Sequence, residues 1–213
     1  MKLLKQIIII TLVTLIISAP ALALAKTLVI YYSRTGNTKL ISETIAKEMG
    51  ADIVEIKEVN LDRLGFWGFA GAGWDAFLDN HSEITPRKIQ LQEYDTVIIA
   101  SPIWSWHFAT PIRTLLQTHN FDNQKLILVT NANIDIKKYD QYKDGKGNAI
   151  QNFLEGYLKR KQKKARDEMI AATSNDPSRV KGHFHIETKN KTTDQLIEDA
   201  KRAVVYINER LTK

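Results

Sequence analysis

Six consecutive residues, Ser33-Arg34-Thr35-Gly36-Asn37-Thr38, bring hydroxyls, a guanidinium, a carboxamide and one glycine together directly ahead of a helical repeat. Main-chain N–H groups at a helix start, backed by hydroxyls and the helix dipole, attract anions, so the chemistry open to this loop is the holding of a phosphate. Gly36 is expected to let the backbone wrap closely where a side chain would clash. The plainer alternative is that Thr35 or Asn37 merely caps the helix. A second group reads Ser101-Pro102-Ile103-Trp104-Ser105-Trp106-His107-Phe108, continued by Ala109-Thr110-Pro111-Ile112-Arg113. Its two tryptophans follow an apolar run rather than lie within it, which favours a loop function over core packing. His107 titrates near neutrality; proton donation competes there with the role of a surface or capping histidine.

Other patterns carry less chemistry. Gly71-Ala72-Gly73-Trp74-Asp75-Ala76 satisfies a dinucleotide-binding spacing but has no strand before it, so it reads as chance. The aromatic, glycine-punctuated stretch around it, from Phe66 to Phe77, reads as helix packing or as a wall beside a ligand. His183 and His185 are two apart on an apolar run and share a face, but no third metal ligand is visible. The basic run from Lys159 to Arg166 reads first as a solvated helix face, then as a surface for an acidic partner or lipid headgroups. No P-loop lysine motif and no nucleophile elbow is present. With no cysteine, disulfides, thiolate catalysis and iron–sulfur clusters are excluded. The net charge of +6 favours acidic partners or a weak contact with an anionic membrane surface, and does not by itself imply nucleic acid.

These groups need elements to position them. Short apolar runs at Thr27–Tyr32, Ala51–Lys57, Thr96–Ser101, Lys125–Thr130 and Gly182–Glu187 read as strands. Helical periodicity predicts helices over Thr38–Met49, Pro111–Leu116, Asn148–Ala171 and Thr193–Leu211. Five strands alternating with helices predict an α/β fold, a doubly wound five-stranded parallel sheet of order 2-1-3-4-5 with helices on both faces. Ligands then bind beyond the carboxyl ends of the strands at the switch point, which places the loops after Tyr32 and Ser101 at the site.

In its first loop the chain resembles the flavodoxin family, whose phosphate loop reads Thr/Ser-x-Thr-Gly-x-Thr. Ser33, Thr35, Gly36 and Thr38 fill every defined position, with Arg34 and Asn37 in the free ones. The resemblance implies a flavodoxin-like fold and FMN as cofactor, its phosphate on Ser33 to Thr38. It further implies that Pro102, Ile103, Trp104, Ser105, Trp106 and His107 line the flavin ring and ribityl chain, with the tryptophans stacking on or edging the ring. Asn131, in the loop Thr130-Asn131-Ala132-Asn133, belongs to the third family loop. That loop carries only amides until Tyr139 and Tyr142, so the residue covering the outer ring face is left open. The implied function is electron transfer, or an NAD(P)H:acceptor oxidoreductase acting on quinones. A flavin-free protein of the same fold, binding a partner in the cell envelope, is the alternative.

The N-terminus predicts export. Lys2 and Lys5 precede an apolar run from Ile7 to Ile17, then Pro20 and an Ala-x-Ala ending at Ala25, the order of a secretory signal peptide. Residues 1–25 are therefore expected to be removed and 26–213 to form one flavodoxin-like domain, periplasmic or extracellular. An uncleaved membrane anchor is the other reading of the same stretch.

Overall fold

The structure, a computed structural model, describes residues 25–59, 82–104, 107–133, 166–173 and 176–212; of Trp104 and His107 it describes the main chain alone. In chain order the elements are β1 (Thr27–Tyr32), α1 (Asn37–Met49), β2 (Asp52–Glu58), β3 (Ile84–Thr85), β4 (Thr96–Trp104), β5 (His107–Phe108), α2 (Thr110–Thr118), β6 (Lys125–Ala132), β7 (Val180–Glu187) and α3 (Thr193–Leu211). Residues 166–171 are helical as well. The expected leader, the Phe66–Phe77 segment, Ser105 and Trp106, Tyr139 and Tyr142, the helix from Asn148 and the basic run up to Lys164 lie outside the described residues, and Arg166 opens the helical stretch 166–171.

Hydrogen bonding runs in the order β3-β2-β1-β4-β6-β7, with β5 paired to β4. The five expected strands are β2, β1, β4, β6 and β7, all parallel and in the expected order 2-1-3-4-5. Among the described residues the strands number seven rather than the expected five. β3 and β5 are two-residue antiparallel additions, on β2 and β4 respectively, too short to leave a periodic signal in sequence.

The apolar runs are continuous because both faces of the sheet are covered. Alternate residues point to opposite faces. Leu28, Ile30, Val97, Ile99, Leu126 and Leu128 pack with Ile112, Leu115, Phe121 and Met169 on the α2 side. Val29, Tyr31, Ile98, Ile127 and Val129 pack with Ile41, Ile45, Leu196, Ala203 and Ile207 on the α1 and α3 side. Each fully buried Leu or Ile stabilises the fold by roughly 1.5–3 kcal/mol before entropy is counted. Helix ends follow local chemistry. Gly50, at φ 60, closes α1 by donating its N–H to the last carbonyls. Thr192 and Gln195 form a reciprocal capping box at the start of α3. Among the described residues no helix is long and apolar enough to cross a membrane.

Candidate functional site

β1 ends at Tyr32, and the chain turns at once into α1. The turn is closed by Ser33, whose Oγ accepts the Gly36 N–H at 3.1 Å. Gly36 then stands at the N-cap with φ 91 and ψ −21, and no side chain caps the helix. Neither Thr35 nor Asn37 acts as the cap considered from the sequence. A Cβ built at position 36 meets no protein atom within 4 Å. Glycine is required by its positive φ, which L-residues rarely adopt, and the space beside it is open. The first turn of α1 holds no acidic residue, while Lys39 lies in it and Arg34 precedes it. An uncapped helix start flanked by cations suits an anion.

The second group is partly strand. β4 runs through Ser101, Pro102 and Ile103 to Trp104, whereas the sequence reading ended it at Ser101. It extends because Pro102 stands opposite Asn131 of β6, and because Ile103 and Trp104 pair back with Phe108 and His107 of β5. Pro102 is tolerated here because β1 has its last pairing with β4 at Ala100, so the missing N–H breaks no β1–β4 bond, while its carbonyl accepts the Ala109 N–H at 3.1 Å. β1 has its last pairing with β4 at Tyr31 and Ala100, so β4 overhangs the Ser33–Thr38 loop. Ile103 is buried with Phe108 and Ile112 in the α2-side core, so its side chain is committed to packing.

Asn131 is likewise strand rather than loop, the penultimate residue of β6. It comes within hydrogen-bond distance of the first loop: Thr38 Oγ1 donates to Asn131 Oδ1 at 2.8 Å, with both residues buried. A separation of 93 residues hides this contact from sequence reasoning. The sequence also gave no sign of Glu58, at the end of β2. The Tyr32 phenol donates to Glu58 Oε2 at 3.0 Å. Burial, then the Glu58 charge and this bond, push the phenol above its ordinary range, and the Arg34 guanidinium opposes them. Tyr32 therefore stays protonated and acts as a donor. The strand ends thus bring together Ser33–Thr38, Glu58, Pro102 and Asn131.

The histidine pair has a different role from the one considered for it. Thr130 Oγ1 lies 2.6 Å from His183 Nε2 and 2.8 Å from His185 Nδ1. One hydroxyl joins two rings across the β6–β7 pair, and a hydroxyl carries one proton, so one ring donates and the other accepts. Among the described residues no group of three metal-ligating side chains is present.

No protein-family model matches the sequence, and neither does any curated protein. The folded chain is similar to solved structures. A candidate flavoprotein from Bacteroides uniformis superposes with a TM-score of 0.57 at 17% identity, covering 83% of this chain and 98% of that one. A candidate flavoprotein from Bacteroides eggerthii gives 0.56 at 16% identity, covering 85% and 99%. A flavoprotein from Lactobacillus acidophilus in complex with FMN gives 0.49 at 22% identity, covering 77% and 91%. The fold is flavodoxin-like.

Proposed function

We propose that this chain is an FMN-binding redox protein that holds the phosphate at the start of α1 and the ring system beyond the ends of β1, β4 and β6. The observation that carries the reading is the uncapped α1 start, with Gly36 at φ 91 and no acidic residue in the first turn. The likeness of the fold to two candidate flavoproteins supports it. Ser33, Arg34, Thr35, Gly36, Asn37 and Thr38 are assigned to the phosphate end. Pro102, Ile103, Trp104, Ser105, Trp106 and His107 are assigned to the ring and ribityl end, Ile103 through its main chain, and Asn131 supports Thr38 from the end of β6. Bound FMN supplies reversible electron transfer, while the chain binds it, orients it and screens it from water. The role is electron carriage between partners, or reduction of a quinone-type acceptor by NAD(P)H. The basic balance suits an acidic redox partner. Residues 1–25 are read as a secretion signal, which places the working protein outside the cytoplasm.

Titrating the purified chain with FMN should give saturable binding and a changed flavin spectrum. No binding at all would leave the alternative, a flavin-free binding protein of the same fold. Gly36→Asp sets a carboxylate against the phosphate. Because like charges in contact cost several kcal/mol, it should weaken FMN by about a hundredfold more than Gly36→Asn, which meets the same positive φ without the charge, while riboflavin, which has no phosphate, should not distinguish the two variants. Turnover of NADPH and a quinone without added protein then separates enzyme from carrier.

A further inference from the structure

One buried hydrogen bond ties the first turn of α1 to the end of β6, and it uses the only proton that the Thr38 hydroxyl has. Thr38 Oγ1 donates to Asn131 Oδ1 at 2.8 Å, with Thr38 3% exposed and Asn131 6%. A threonine hydroxyl has one proton and two lone pairs. A phosphomonoester near neutral pH presents acceptor oxygens, so a hydroxyl assists it only by donating. Thr38 fills the last defined position of the phosphate motif, yet its proton is already directed elsewhere. Ser33 differs: its Oγ accepts the Gly36 N–H, which uses a lone pair and leaves its proton available.

We propose that Thr38 is a positioning residue rather than a phosphate ligand, and that Asn131 is its anchor. The inference rests on the FMN reading of the same site. Deeper in α1, Ile41 and Ile45 hold the helix to the sheet by apolar packing. The first turn lies nearer the loop, where helix ends fray unless they are tied down. The Thr38–Asn131 bond supplies that tie and keeps the first main-chain N–H groups of α1 aimed at one point. Asn131 also stands opposite Pro102 in the β4–β6 ladder, so one carboxamide fixes the phosphate loop relative to the β4 overhang.

Calorimetric titration with FMN and with riboflavin tests this on the full chain carrying Thr38→Val, Asn131→Ala or both. Each single change should weaken FMN by about tenfold, the size of one buried hydrogen bond. The double variant should be no weaker than either single one, because both remove the same bond. Riboflavin affinity should not move, and Thr38→Ser should restore FMN. If Thr38→Val costs far more than Asn131→Ala and the losses add, the hydroxyl donates to the phosphate directly and the proposal is overturned. It is overturned equally if neither change alters FMN affinity. Amide hydrogen exchange over Asn37 to Leu40 in the ligand-free chain reads the tie without any cofactor. Both variants should speed it alike, and unchanged exchange rejects the tie. Failure of the unaltered chain to bind FMN rejects the cofactor reading instead.

Discussion

At position 182 a hydrogen stands where other residues carry a methylene. A Cβ built there would lie 2.8 Å from Tyr206 Oη and 3.0 Å from its Cε1. The Tyr206 hydroxyl is in use, since it accepts the His183 N–H at 3.2 Å, and its ring is held between Phe184, 5.4 Å away between centroids, and Arg210, 5.0 Å away. Gly182→Ala should therefore push the tyrosine off the strand and destabilise the fold by about 1–3 kcal/mol. Adding Tyr206→Phe removes the crowding oxygen, so the double variant should lose less than the sum of the two single changes. Urea unfolding of the four proteins checks this, and strict additivity would show that the tyrosine does not yield. Gly36 is the contrasting case: no protein atom crowds it, and its positive φ demands glycine.

Between elements, the β6–β7 pair is joined by main-chain bonds and by Thr130 bridging His183 and His185. Burial, then the charges of His185 and Arg166, push the His183 imidazole down to about 4. The fold therefore favours the neutral ring, while the unfolded chain takes up a proton near pH 6.5. The resulting stability is complete above about pH 6.5 and is lost progressively as pH falls towards 4, a total on the order of 3 kcal/mol. His119 acts in the same direction. Its ring is lowered by burial, and its Nε2 accepts the Ile89 N–H at 3.2 Å, which a protonated ring cannot do. Urea midpoints at pH 7.5 and 4.5 should differ clearly in the unaltered chain and less in His183→Gln. Equal shifts in both would show that other groups carry the acid sensitivity. On the α2 side, the buried Arg113 guanidinium pairs with Glu168 of the helical stretch 166–171 at 3.2 Å, joining those two elements through charge as well as packing.

For the molecule as a whole, Lys26, just ahead of β1, is tied to the segment that leads into β4. The Lys26 main-chain N–H donates to Asp95 at 3.0 Å, and its side chain pairs with Glu93 at 3.2 Å. If residues 1–25 are removed on export, protein recovered from the cell envelope should start at Lys26, a mass that intact-protein spectrometry reads directly. Retention of Met1 would instead indicate an anchor. A new amino terminus at Lys26 would place its charge beside Asp95 and Glu93, a favourable though solvent-screened arrangement.

The sequence by itself determined the five parallel strands and their order, because apolar runs such as Val97 to Ala100 are continuous only when both faces of a sheet are covered. It also marked the turn into α1, since Ser33, Thr35, Gly36 and Thr38 are neighbours along the chain, and the end of α1, since a glycine there is a local signal. What only the tertiary structure decided is where β4 stops, that Asn131 reaches Thr38, that Glu58 meets Tyr32, and that Thr130 sits between two histidines. Each of these is set by a strand register or a contact between residues far apart in the chain. Local composition carries no record of such pairings, because the partners become neighbours only when the strands align and the helices settle on the sheet.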